Sequence, residues 1–337
     1  MLLDSLNRPA RDLRISVTDR CNHRCSYCMP AAQYAWIDRK EILSFEEVVR
    51  LARLFTEFGI EKIRITGGEP LLRHDLSELI ARLSRLKGLR DLCMTTNGSL
   101  LAERAPELAA AGLRRINVSL DALDPELFRS MTGRDDLAHV LEGLSVARAS
   151  GLGPIKINTV VVRGANDSQI PNLLEFCREN GFSLRFIEYM DAGNANDWKS
   201  ERLVSKQEIL DIIQARFQLR DCGRESASSP EVRYQYADGS GDVGVIASVT
   251  EPFCAGCTRV RLTADGRLVT CLFSESGHDL KQLVRGGVSD QELQRFIRNV
   301  WAKRQDRYSE DRLAALNSAR GYQSQDRIKI EMIKLGG

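Results

Sequence analysis

The 337-residue chain has no long apolar run, no strong excess of either charge, no internal repeat and, beside each of its two cysteine groups, no fourth cysteine. Each absence excludes something. No apolar stretch approaches the roughly 18 residues that a membrane span needs. The amino terminus "MLLDSLNRPA" lacks the basic segment and apolar core of a secretory leader, so a cytoplasmic protein is expected. Lys and Arg number 48 against 46 Asp and Glu, a net charge of +2, which does not mark the surface as a whole for nucleic acid or membrane. Nine cysteines, an odd count in a reducing compartment, do not make a disulfide framework. The missing fourth cysteine matters most. A structural zinc usually takes four protein ligands, whereas "CNHRCSYC", residues 21–28, offers Cys21, Cys25 and Cys28.

What is present begins with a repeated rhythm. From Arg11 to about Met190, short apolar strands alternate with amphipathic helical stretches. The strands are "DLRISVT", "KIRIT", "DLCMTT", "RRINVSL", "IKINTVVV" and "LRFIEYM". The helices include "SFEEVVRLARLFTEFG" and "DLSELIARLSRLKG", with Ser44 and Asp75 as N-caps and Gly59 and Gly88 just past the ends. Six β-α units predict an α/β fold with a parallel sheet, closed into a barrel or part of one. Within each strand one face is aliphatic and the other polar: Ile63 and Ile65 oppose Lys62, Arg64 and Thr66, and Leu13, Ile15 and Val17 oppose Arg14, Ser16 and Thr18. The polar face either points to solvent from a half-exposed sheet or lines the lumen of a wide, open barrel. In a lumen its basic residues suit an anion such as a polyphosphate. After about Asn194 the chain reads as turns and β-hairpins, with Asp265-Gly266 as a hairpin turn, "DCGRESASSPE" as a linker, and a helix over "SDQELQRFIRNVWAKR". Two domains are expected, 1–220 and 221–337.

The first cysteine group follows the first strand, at the end where barrels place their chemistry. Three thiolates on one tight loop suit an iron–sulfur cube with one open iron; zinc completed by His23 is the alternative. The spacing CxxxCxxC, with Tyr27 before the last cysteine, resembles the radical S-adenosylmethionine (SAM) enzymes. So does "TGGEP", residues 66–70, at the end of the second strand. The resemblance implies an incomplete (βα)6 TIM-like barrel and a 4Fe-4S cluster whose open iron binds SAM. It implies SAM contacts at Tyr27, Gly68, Asn97, Ser119 and Met190.

The second group is Cys254, Cys257 and Cys271, with the hairpin "TRVRLTADGRLVT" between its last two members. A zinc knuckle completed by His278 is the bland reading. The spacing CxxC-x13-C after such a core, with Arg259 and Arg261 on the hairpin and Gly336-Gly337 at the end, resembles the GTP 3′,8-cyclase family of molybdenum cofactor biosynthesis. That resemblance implies a lyase with a second 4Fe-4S cluster that binds GTP. It implies GTP contacts at Arg14, Lys62, Arg64, Thr95, Lys156, Arg185, Arg259, Val260 and Arg261. Arg259, Arg261, Gly336 and Gly337 would act in catalysis. It further implies a homodimer, an electron donor such as flavodoxin or ferredoxin, and a cyclic pyranopterin monophosphate synthase that receives the product. The remaining cysteines, Cys93, Cys177 and Cys222, are scattered, and Cys177 reads as core filler.

Overall fold

The computed structural model describes residues 1–30, 34–318, 322–324 and 328–336, so Gly337 lies outside the described residues. All six expected strands form: β1 Asp12–Ser16, β2 Lys62–Thr66, β3 Asp91–Thr96, β4 Arg115–Ser119, β5 Lys156–Val161 and β6 Ser183–Glu188. They pair in that order, all parallel. The C-terminal region adds β7 Leu219–Gly223, β8 Val232–Tyr236, β9 Asp242–Ile246, β10 Arg259–Leu262, β11 Arg267–Val269 and β12 His278–Asp279. β9 pairs parallel to β6, and β10 pairs parallel to β1. The result is one 12-stranded open sheet, with antiparallel β11 and β12 at one edge and β8 and β7 at the other.

Two expectations therefore change. The C-terminal region does not stand apart as hairpins alone, because two of its strands complete the barrel wall. "DCGRESASSPE" is not a linker: it begins within β7 and ends at Glu231, which is buried. The boundary expected at 220 falls inside β7.

The alternating strand faces are both covered. Leu13, Ile15, Ile63, Ile65, Ile116, Val118 and Ile157 join the main hydrophobic core against the helices. On the opposite face Ser16, Arg64, Thr66 and Asn117 are buried as well, so that face lines a lumen and not open solvent. Each fully buried aliphatic side chain contributes about 1.5–3 kcal/mol.

Helix ends follow local chemistry in part. Ser44 and Glu47 form a reciprocal capping box, and Gly59 takes φ +99° just past that helix. Ser289 caps Asp290–Ala302 in the same way. Asp75 does precede the helix Leu76–Leu83, but it sits at φ 55° with no capping bond and instead pairs with His74 at 2.6 Å. That helix ends at Ser84, so Gly88 belongs to the turn beyond it.

Candidate active site

The loop after β1 holds Cys21, Cys25 and Cys28, all free. It folds on itself, the amides of Cys28 and Met29 donating to Cys25 O at 3.0 and 2.8 Å. The "GGEP" turn packs directly against it. Gly68 N–H donates to Thr18 O at 2.7 Å, and Glu69 N–H to Arg20 O at 2.8 Å. A Cβ on Gly68 would lie 2.3 Å from Arg20 O, so only glycine lets the two loops meet. The Glu69 carboxylate ties the ends of β2 and β3, accepting from Leu71 N at 3.0 Å, Thr96 Oγ1 at 2.7 Å and Asn97 N at 2.7 Å. Burial still pushes its carboxyl up to about 7.

The residues expected around SAM gather at this end. Asn97 donates to Asn22 Oδ1 at 2.8 Å and reaches Cys21 Sγ at 3.9 Å. Tyr27 donates to Asp121 Oδ2 at 2.7 Å, and Val160 N–H donates to the other oxygen at 2.9 Å. Burial lifts Asp121 to about 6. Met190 and Tyr27 pack against one small cluster of Val162, Tyr189, Trp198 and Val249. Ser119 ends β4, two residues before Asp121. His23 takes no part: its ring is buried, 3.2 Å from Asp136 and edge-on to Phe128. Burial, then Glu69, raises the Cys21 thiol to about 11; burial, then Cys21 and Glu331, raises Cys28 to about 12. Cys25 is also pushed well above its ordinary value, by burial and then Asp121. Such thiols are deprotonated when they coordinate a metal.

The second trio is built differently. Cys254 and Cys257 form the turn before β10, and Cys271 follows β11. Arg8 donates to Cys254 O at 2.8 Å. Arg304 donates to Cys257 O at 3.0 Å and Thr270 O at 3.1 Å. Asp4 anchors both arginines, at 2.6 and 3.0 Å. Arg259 donates to Cys257 Sγ from Nε and NH2, at 3.4 and 3.2 Å. Burial would raise this thiol, but Arg259 and Arg304 outweigh it and bring it down to about 6. Cys271 goes up to about 12, through burial and then Asp306. His278 packs edge-on to Phe296 at 6.3 Å. Among the described residues no three His, Cys, Asp or Glu side chains are gathered as a single-ion chelate. Zinc would draw its sulfurs to about 2.3 Å from one centre. The donor chemistry, three free thiols in each set, fits iron–sulfur cubes.

The two trios stand at opposite ends of the same strands. β10 runs parallel to β1, with Arg259 beside Asp12 and Arg261 beside Arg14; Arg14 is in turn beside Arg64 on β2. Three arginines thus lie abreast on adjacent strands, an arrangement that is unfavourable without an anion. Burial, then Arg261, holds the Arg14 guanidinium well below its usual range. Arg64 donates to Thr95 Oγ1 at 3.1 Å. Arg14 Nε, Arg64 Nε, Asn117 Oδ1 and Asn158 Oδ1 are buried with no hydrogen-bond partner. Unpaired buried polar atoms are few in folded proteins, and the arginine nitrogens suit a ligand rich in acceptor oxygens.

A model of the radical SAM superfamily matches residues 15–177, and one for the C-terminal region of molybdenum cofactor synthesis proteins matches 182–310. A GTP 3′,8-cyclase of Acidothermus cellulolyticus is 48% identical over 94% of this chain and 89% of its own. That of Aquifex aeolicus is 44% identical over the whole of both chains. The chain belongs to the GTP 3′,8-cyclase family. Among solved structures, SuiB of Streptococcus suis bound to S-adenosylmethionine superposes with a TM-score of 0.62 at 16% identity, covering 91% of this chain and 68% of that one, which shows the shared fold.

Some features of this GTP 3′,8-cyclase family member escaped sequence reasoning. Glu231, just before β8, enters the lumen: its Oε2 lies 3.3 Å from Lys156 Nζ and 2.6 Å from Arg185 Nε, the latter without hydrogen-bond direction. Gly244 makes its room, since a Cβ there would lie 2.4 Å from Glu231 Oε1. Two of the expected phosphate cations are thus already paired. Lys62 is 3.6 Å from Asp91 and shares its strand row with Asp12, so it too faces carboxylates. The Asp4–Arg8–Arg304 cluster carried no sequence signal, because Arg304 lies 300 residues from Asp4. At the tail, Gly336 takes φ 65° against Thr66, and Arg261 donates to Leu335 O at 3.1 Å and Gly336 O at 2.6 Å.

Proposed function

We propose that the chain cyclises GTP to 3′,8-cyclo-7,8-dihydro-GTP, using SAM, on the path to molybdenum cofactor. One observation carries this reading: two three-cysteine sets stand at opposite ends of one arginine-lined lumen. Cys21, Cys25 and Cys28 hold the cluster that binds SAM, and Cys254, Cys257 and Cys271 hold a second on the nucleotide's side. Bound there, cluster and SAM together supply one-electron chemistry, cleavage of the sulfonium to methionine and a 5′-deoxyadenosyl radical. Overall, the ribose C3′–H bond breaks, C3′ joins guanine C8, and the hydrogen leaves in 5′-deoxyadenosine. An external donor such as flavodoxin or ferredoxin supplies one electron to cleave SAM and a second that, with a proton, completes N7–H of the product.

The residues divide the remaining work. Tyr27, Gly68, Asn97, Ser119 and Met190 seat SAM. Arg14, Arg64, Arg259 and Arg261 take the triphosphate oxygens, with Thr95 beside them; Val260, whose side chain packs into the hydrophobic core opposite the lumen, offers only its backbone; Lys156, Arg185 and Lys62 join once their carboxylate partners yield. Gly336 closes the lumen beside Arg261. Holding C3′ and C8 together makes the ring closure intramolecular, and a covered lumen keeps water from the radical. The enzyme works in the cytoplasm as a homodimer, and its product passes to a cyclic pyranopterin monophosphate synthase; no helix among the described residues is long and apolar enough to cross a membrane.

Anaerobic iron and sulfide analysis should find about eight of each per chain, and GTP with SAM and reductant should give the cyclised nucleotide. A colourless protein with stoichiometric zinc, or SAM cleavage that never yields that nucleotide, would overturn the reading.

A further inference from the structure

One carboxylate lies at the centre of a buried polar cluster outside the cysteine sites. Asp191, next to Met190 in the loop after β6, is 1% exposed. Its Oδ1 accepts from Arg312, and its Oδ2 accepts from Lys329 Nζ at 2.7 Å and from the hydroxyls of Tyr308 and Tyr322. Lys329 Nζ also donates to Asp191 O at 2.9 Å. Burial would raise this acid, but Arg312 and Lys329 bring it down to about 2. The partners come from the helix Tyr308–Leu316 and from the chain that leads to the terminus.

The same loop holds that chain a second time. Asn194 Nδ2 donates to Lys329 O at 2.6 Å and Glu331 Oε1 at 3.0 Å, and Lys329 N–H donates to Asn194 Oδ1 at 2.8 Å. Gly193, at φ 73°, lets the two segments touch: a Cβ there would lie 3.1 Å from Met332 N. The tail has further anchors, Ile330 N–H donating to Ser274 O at 2.9 Å and Arg261 to Leu335 O at 3.1 Å, but none of them holds Lys329 or Glu331. Its helix, Met332–Leu335, is four residues long, too short to form without tertiary support. Yet Ile333 and Leu335 are buried and Gly336 meets Thr66 and Arg261.

We propose that Asp191 and Asn194 are positioning residues: the loop after β6 grips the chain at Lys329 and Glu331 and so sets how far residues 333–336 reach into the lumen. The kinetic consequence, though not the grip itself, rests on the function proposed above. Because Asp191 adjoins Met190 at the SAM end, the grip ties the seating of the tail to that end of the lumen.

The test is hydrogen exchange in the cluster-loaded full-length protein. In Asp191→Asn, amide exchange over residues 329–336 should speed up at least ~10-fold while β1–β6 keep the parental rates. Asn194→Ala, which leaves the charged cluster intact, should speed the same segment a few-fold. With SAM and GTP, both variants should make more 5′-deoxyadenosine per cyclised nucleotide than the parent. Parental exchange over the tail, or an equal loosening of β1–β6, would overturn the proposal. If Asp191→Asn does not fold, Asn194→Ala decides alone. A parent that never cyclises GTP would sink the proposed function and leave the exchange result standing.

Discussion

The two ends of the lumen differ in charge. Around the first cysteine trio sit the carboxyls of Glu69, Asp121 and Glu331, and all three thiols are pushed up. Around the second sit Arg259 and the Asp4-paired Arg8 and Arg304, and Cys257 comes down to about 6 while Cys271, near Asp306, goes up. One barrel thus presents an acidic mouth and a basic mouth, with Arg14, Arg64 and Arg261 between them. Under the proposed function this polarity sorts the two ligands before any specific contact forms. The sulfonium and ammonium of SAM suit the acidic mouth, and a triphosphate suits the basic one.

The contrast can be broken most severely at the acidic mouth. Cys21→Ser should abolish reductive SAM cleavage, read as 5′-deoxyadenosine; undiminished formation would remove Cys21 from the cluster. A smaller effect, of about 3 kcal/mol, follows from the Glu69 carboxyl, raised from 4.5 to about 7. A raised carboxyl favours the folded state below its unfolded value, and that contribution is lost as pH climbs through the folded value. Denaturant unfolding of metal-free protein should therefore show Glu69→Gln gaining on the parent between pH 5 and pH 8. A constant difference would mean that Glu69 is not desolvated. At the basic mouth, Arg261→Ala should weaken GTP binding ~10–100-fold, the scale of about 1.5–3 kcal/mol for a hydrogen bond to a charged group. Calorimetry with GTP alone would show it, and equal affinity would place the phosphates elsewhere. Smallest is Glu231→Gln, which frees Lys156 and Arg185 and should tighten triphosphate binding about 3–10-fold. Weaker binding would instead make Glu231 a contact of the nucleotide.

The first mouth was far more legible in the sequence than the second. Its parts are local: a cysteine loop after a strand, a glycine turn after the next, and strands whose alternation separates Ile63 and Ile65 from Arg64. Period-two patterning reports which face a residue occupies, so a separate polar face followed from it, while burial of Arg64 and Asn117 is what makes that face a lumen. Patterning does not report which distant segment completes a sheet. β10 read as a hairpin strand because β11 is its antiparallel neighbour in sequence, and its parallel partner β1 lies far away. Glu231 read as linker because a buried carboxylate among serines looks like any polar loop. The Asp4–Arg304 pair and the grip of Asp191 on Lys329 join residues 300 and 138 apart in the chain, where no spacing could reveal them.

The pairing of β1 with β10 has a consequence for synthesis and truncation. β1 is among the first structured segments to leave the ribosome, while its neighbour on that side is made only after three-quarters of the chain. Until then one flank of β1 is a bare edge with unsatisfied amides, the kind of surface on which chains aggregate. The C-terminal third is therefore no removable attachment. A version cut before β10 would keep the first cysteine loop and its glycine turn, yet should collect in the insoluble fraction.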